Sequence, residues 1–351
     1  MNKLSLRQQR ILKIVLFRDK IQSSEVLAEM KKNGESISLV TVKRNLSLMA
    51  KLGILSVSGS GRSTNYTVST IGRIFANIIA SEYCTIEPDS RHGLKHYNFD
   101  LFSNFPSDIF DEQEKNTLSL ATKSYLKRTN RLTPSIIKKE MERLIIELSW
   151  KSSKIEGNTY TLLDTENLIK NNIKATGKSR EETQMILNHR EAFEYIYSHQ
   201  SNFKTITKNN LERLHSILVK DLGVDIGLRK KPVGITASIY QPLDNAYQIS
   251  EAVILLSKTI KHTTDPFAKA LLALAGISYI QPFADGNKRT ARLMTNAVLL
   301  AYNLAPLSYR SVDENSYREA MLVFYELNSI IPIKEIFITQ YSFAATNYLV
   351  R

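Results

Sequence analysis

The sequence predicts a mainly α-helical protein carrying a small strand-bearing unit at its N-terminal end. Two observations lead to this. Apolar residues recur at helical spacing in most segments from Leu6 to Leu327, and only a few short stretches read as strands. The net charge of +13 is uneven: residues 1–70 hold twelve Lys/Arg against four Asp/Glu, so +8 lies in the first fifth. Such an asymmetry points to a nucleic-acid-binding head on an otherwise ordinary globular body. The apolar fraction of 43% and charged fraction of 23% fit that class. One cysteine, Cys84, excludes an intrachain disulfide and a Cys-rich zinc site. No apolar run reaches membrane-spanning length and Met1–Lys20 lacks a signal-peptide layout, so the expected location is cytoplasmic.

In the head, Leu6–Phe17 puts Ile11, Leu12, Val15 and Leu16 on one helical face. Ser23–Met30 is a second helix with a serine cap, and Asn33-Gly34 breaks it. Ser38–Leu52 is a third, stopping at Gly53; Ile54–Val57 and Asn65–Ser69 then flank a Gly59–Thr64 turn, as a hairpin does. Three helices followed by a hairpin resemble the winged helix-turn-helix of bacterial transcription regulators. The resemblance implies that Thr41, Lys43 and Arg44 face a DNA groove and that Arg62 sits at the wing tip near phosphate. A protein-docking or dimerisation module is the alternative, and the charge asymmetry favours DNA.

The expected domains are 1–69 for this head, 70–115 for an aromatic-rich connector packed on the body, and 116–351 for the body. His92 and His96 are four apart without a carboxylate or cysteine cluster, so they read as a surface pair. Lys138–Ile155 is a long helical pattern with Leu144, Ile145, Leu148 and Ile155 inward, and Gly157 suits a left-handed cap. Asn210–Val219 is amphipathic through Leu211, Leu214, Ile217 and Leu218; His215 lies off that face and reads as a surface or helix-packing histidine. Val233, Ile235 and Ala237 alternate between two prolines as a short strand or hairpin.

The chemistry concentrates in Gln281-Pro-Phe-Ala-Asp-Gly-Asn-Lys-Arg-Thr-Ala-Arg292. It lies between Ala268–Ile280 and Leu293–Ala301, both apolar enough to be buried helices. A helix starting near Gly286 aims free N–H groups into the loop, and Arg289 and Arg292, three apart, share a face. This is a phosphate cradle, with Asp285 beside it as a Mg²⁺ ligand.

The stretch resembles the Fic family motif, His-Pro-Phe-x-Asp/Glu-Gly-Asn-Gly/Lys-Arg-x-x-Arg, and departs from it only at the first position. The resemblance implies an all-helical domain with a β-hairpin flap (Val233, Ile235, Ala237), ATP with Mg²⁺ on Asp285, and AMP transfer to a target protein's hydroxyl. It places the α-phosphate on Gly286 and Asn287 and the outer phosphates on Arg289 and Arg292, with Lys288 as a further nucleotide-binding residue. Ser152-Ser-Lys-Ile-Glu-Gly-Asn158, with Thr161-Leu162, resembles the family's inhibitory helix, expected around 138–157 with Ser152, Glu156 and Gly157 as its motif. There the glutamate pairs with the second arginine, here Arg292, and excludes the γ-phosphate. Tyr317 resembles an aromatic near the family's adenine pocket, although such residues are more often core.

The family's general base is histidine, and Gln281 replaces it; an amide takes no proton at neutral pH. A general base contributes roughly 10²–10⁴-fold, so nucleotide binding is expected to persist while transfer weakens. Three functions therefore compete: a weakened AMP transferase, a DNA-binding regulator that senses nucleotide without turnover, and a non-catalytic interaction protein using the flap. A homodimer is compatible with all three.

Overall fold

The computed structural model describes residues 4–348 and divides the chain into two units. The first comprises the residues up to Pro106, with Ile235–Gln241 and Glu319–Ile333; the second comprises Ser107–Gly234, Pro242–Arg318 and the residues from Lys334.

In the first unit the order is α1 (Leu6–Leu16), β1 (Ile21–Gln22), α2 (Ser23–Lys32), α3 (Leu39–Lys51), β2 (Leu55–Ser58), β3 (Asn65–Val68), α4 (Thr70–Ile74) and α5 (Ala80–Cys84). Ser5 caps α1 through a reciprocal pair with Gln8. Ser38 caps α3 by accepting the Thr41 N–H. The expected serine cap of α2 is corrected: Gln22 is the cap, closed by Glu25, because Ser23 and Ser24 are already inside the helix. The sheet is antiparallel in the order β1-β3-β2, with Leu55 opposite Val68, Ser58 opposite Asn65 and Ile21 opposite Tyr66. Three helices and a winged hairpin close over Ile11, Leu12, Val15, Val26, Val42, Leu46 and Ile54. Val323 and Leu327 complete that core.

The segment Ile235–Gln241 is fastened in this unit by a buried carboxylate. Glu326 accepts from the Ser238 hydroxyl at 2.8 Å, the Ile239 N–H at 3.2 Å and the Tyr83 hydroxyl at 2.7 Å, and pairs with Arg91 at 3.3 Å. Arg91 in turn donates to the Ala237 carbonyl.

The second unit contains α6 (Glu112–Thr129), α7 (Pro134–Ile155), α8 (Leu162–Asn171), α9 (Arg180–Ser198), α10 (Lys208–Leu218), α11 (Ala246–His262), α12 (Pro266–Ile280), α13 (Asn287–Ala301), the start of α14 (Glu314–Leu327) and most of α15 (Ile331–Asn347). The apolar composition of α12 has its physical consequence: every residue from Ala268 to Ile280 is buried. Helix α13 is buried throughout except at Lys288, even though it carries Asn287, Arg289, Thr290, Arg292, Thr295 and Asn296. The two helices pack on each other, and α13 also contacts α7, α9 and α10. Buried polar side chains need partners, so the polar half of α13 organises its surroundings. On α7, Ile146 rather than Ile145 joins Leu144 and Leu148 inside. No helix among the described residues is long and apolar enough to cross a membrane.

Candidate functional site: buried arginines at a helix N-terminus beside Glu156

The turn between α12 and α13 is shaped by its own side chains. Gly286 precedes α13 with φ 77°, a left-handed backbone that glycine takes without penalty. A Cβ there would also approach Val219 at 3.1 Å. Asn287 accepts the Phe283 N–H and donates to the Phe283 carbonyl, both at 2.8 Å. Its amide thus belongs to the framework of the loop, while the backbone N–H groups of the first α13 turn carry the positive end of the helix.

His215 makes a second brace. It is buried, stacks face to face on Phe283 with centroids 3.7 Å apart, and pairs through Nε2 with the Asp285 carbonyl at 3.0 Å. Burial, reinforced by the Arg289 charge, pushes its pKa down to about 4 against the opposing Asp285 contacts. The ring is therefore neutral and donates from Nε2. Of the two readings from sequence, surface or helix-packing, the structure shows the second, and the expected place off the apolar face is corrected: residue 215 lies one helical turn after Leu211 and shares its buried face.

Arg289 and Arg292 are both buried, with 3% and 0% of their surface exposed. Arg289 donates to Asp285 at 2.8 Å, and the Asp285 side chain is 65% exposed. Arg292 donates from Nε to the Ser152 hydroxyl at 2.9 Å and from Nη2 to the Ser152 carbonyl and to Glu156, each at 2.8 Å. Tyr317 lies under its guanidinium, 5.6 Å from ring centroid to Cζ. That places Tyr317 as a cation–π floor for Arg292. Nη1 of each arginine is buried without a hydrogen-bond partner. Two unsatisfied guanidinium donors beside a helix N-terminus are what an anion with several oxygens satisfies.

Glu156 is the C-cap of α7, and Gly157 follows with φ 96°. Lys288 stands 3.8 Å from its other oxygen. Burial opposes ionisation of Glu156, but the Arg292 and Lys288 charges and the Arg292 hydrogen bond outweigh it and hold the carboxyl below its ordinary value. Ser152 is itself seated by His189, whose Nε2 lies 2.8 Å from the hydroxyl. Since Arg292 Nε donates to that oxygen, the serine proton goes to His189, which burial and the neighbouring arginines keep neutral. Arg318 reinforces the end of α7 by donating to the Ile155 carbonyl. Neither His189, 33 residues beyond Glu156, nor Arg318 is signalled by any local pattern.

Gln281 caps α12 with φ 50° and ψ 59°. A non-glycine residue in this region costs about 1 kcal/mol. Its side-chain amide donates to the Ser278 carbonyl at 2.6 Å, turned back on α12. Arg229 donates to the Gln281 carbonyl at 2.7 Å.

The hairpin expected at Val233, Ile235 and Ala237 is corrected. Residues 227–240 form no strand, and the nearest pairing is a single parallel bridge between Gln241 and His96. Ala237 has φ 61° and the Ser238 N–H turns back to the Ile235 carbonyl, which interrupts any extended run.

In the first unit, Lys43 and Arg44 are exposed on α3, and Arg62 is exposed in the wing turn. Thr41 is half-buried and hydrogen-bonded to the Ser38 cap. No group of three or more His, Cys, Asp or Glu among the described residues could hold a metal ion by itself.

Residues 205–299 match the Fic/DOC family and residues 2–94 match the Ferric uptake regulator family. A curated relative, Protein adenylyltransferase Fic of Nematostella vectensis, is 28% identical over 187 residues, 52% of this chain and 44% of that protein. Protein adenylyltransferase Fic of Drosophila melanogaster is 29% identical over 166 residues, 46% and 34% of the two chains. The chain thus spans less than half the length of these curated relatives. A Fic domain containing signaling protein from Bacteroides thetaiotaomicron superposes with TM-score 0.57 at 20% identity, covering 66% of this chain and 94% of that one. Fic-1 from C. elegans gives TM-score 0.56 at 17% identity, covering 67% and 70%. These structural likenesses establish the fold alone.

Proposed function

We propose, on the premise that residues 205–299 form a Fic/DOC family domain, that this chain is a self-inhibited nucleotide-binding protein of the AMP-transferase type. The observation that carries the reading is the 2.8 Å contact of Glu156 with Arg292 beside the α13 N-terminus. A carboxylate there takes the guanidinium that a nucleotide phosphate needs. Arg289, Arg292 and the first α13 amides bind the phosphates of ATP, and Lys288 lies at their exposed side. Asp285 is the carboxylate for Mg²⁺, which when bound neutralises phosphate charge. Gln281 supplies a hydrogen bond but no base, so the chain binds and orients nucleotide far better than it transfers AMP to a target hydroxyl.

Calorimetry tests the reading. ATP should bind Glu156→Gly more tightly than the unmodified chain, and adding Gln281→His should bring label from α-labelled ATP onto protein. Absence of ATP binding by the Glu156→Gly variant rejects the reading.

A second reading concerns the first unit. Exposed Lys43, Arg44 and Arg62 on a winged helix, with the match to the Ferric uptake regulator family, support DNA binding. On this reading the chain is a regulator whose nucleotide domain serves as a sensor. Its test is salt-dependent DNA affinity that changes on adding ATP; an affinity indifferent to ATP removes the sensing role.

A further inference from the structure

We propose that Arg229 is a positioning residue for position 281, fixing its backbone and both ends of the segment 231–243 with one guanidinium. The proposal rests on the reading above only in taking position 281 to stand at the reacting hydroxyl.

The geometry is specific. Arg229 is 3% exposed. Its Nε donates to the Gln281 carbonyl at 2.7 Å, its Nη1 to the Lys231 carbonyl at 2.8 Å and its Nη2 to the Leu243 carbonyl. Its own backbone N–H donates to the Pro282 carbonyl at 3.0 Å. Three chain segments thus meet on one planar fork. Only arginine has this reach, because five donors in fixed directions serve three carbonyls at once, whereas an ammonium is a point charge on a flexible stem.

Each bond has a distinct consequence. Lys231 and Leu243 held by the same group close the segment between them into a loop with adjacent ends, as in an Ω-loop. The Gln281 carbonyl and the Pro282 carbonyl, held by one residue's side chain and backbone, fix the peptide on either side of position 281. That explains how a left-handed glutamine backbone persists: its surroundings over-determine it. The two effects are mechanically one. Arg229 thus fixes the backbone of position 281, and with it where that residue stands toward a reacting hydroxyl, without touching the hydroxyl itself. Misplacement of that order is costly to transfer and harmless to nucleotide binding, since the phosphate donors belong to α13.

The experiment is hydrogen–deuterium exchange on the full chain, unmodified and as Arg229→Lys, with ATP calorimetry in the Glu156→Gly background. The expected result is at least tenfold faster exchange in peptides covering 231–243 and 278–283 together, with peptides of α7 unchanged and ATP affinity within threefold. Where the Glu156→Gly, Gln281→His chain labels protein from α-labelled ATP, adding Arg229→Lys should lower kcat at least tenfold with the KM for ATP within threefold. Faster exchange in only one of the two peptides, or in all peptides alike, overturns the proposal. So does an ATP affinity that falls in parallel with the melting temperature. If Arg229→Lys does not fold, Arg229→Gln, which keeps two donors, is read by the same criteria. Failure of the Glu156→Gly parent to bind ATP sinks the functional reading and leaves the exchange result standing.

Discussion

Arg292 and Ser152 are joined by two hydrogen bonds, one to the serine hydroxyl and one to its carbonyl, alongside the contact of Arg292 with Glu156. The link between α7 and α13 is therefore more than an ion pair. Removing Glu156 leaves the guanidinium attached to α7, so its release is graded.

Ser152→Ala should by itself raise ATP affinity by roughly 10–100-fold, the worth of one hydrogen bond to a charged donor. Titration calorimetry on Ser152→Ala, Glu156→Gly and the double variant checks this. An affinity for Ser152→Ala equal to that of the unmodified chain would show that the carboxylate alone closes the site.

The Glu156 carboxyl titrates below its unfolded value, so its stabilisation is complete above that value and is lost only as pH falls through the lower, folded one. Glu156→Gln should cost roughly 1–3 kcal/mol at pH 7, by leaving Arg292 buried beside a neutral amide. Melting curves of the two chains should stay apart through mildly acid pH and converge only below the ordinary carboxylate range. Convergence already at pH 6 would contradict the assignment.

For His215 the sign is opposite to that of a histidine gaining a partner. Its folded pKa of about 4 lies below the unfolded value, so the unfolded chain takes up the proton first. Its contribution is whole above about pH 6.5 and declines toward pH 4, reaching about 3 kcal/mol. His189, buried and neutral, adds a term of the same sign. His215→Asn should flatten, without abolishing, the fall in unfolding free energy over that window, as read from urea titrations at successive pH values. An unchanged slope would mean the ring is not held neutral.

In the first unit, Lys43→Ala and Arg62→Ala should each lower the salt slope of DNA binding by about 1, uniformly across sequences, if they meet phosphate. Fluorescence anisotropy at several salt concentrations reads the slope. A sequence-dependent loss at Lys43 would move it from backbone to base contact.

Much of the site could be read from spacing. Arg289 and Arg292 lie on one helical face because three residues make most of a turn, and Gly286 and Gly157 sit at helix ends where only a left-handed backbone continues the chain. The helical cores followed from apolar periodicity. What escaped was tertiary. Arg229 lies 52 residues from Gln281 and looks like one member of a basic run until the chain folds. His215 was misplaced by counting faces too narrowly. The alternation at Val233, Ile235 and Ala237 had the right period for a strand, but a strand needs a partner and an unbroken extended backbone, and Ala237 provides neither.

The twin bonds between Asn287 and Phe283 close a small ring within the loop itself. On the proposed reading its thermodynamic consequence is that a phosphate enters a loop tied by its own side chain, so that little chain entropy is lost on association. Inorganic pyrophosphate should therefore be recognised by the released chain with a favourable enthalpy and a small entropic penalty, the adenosine adding affinity without reshaping the loop.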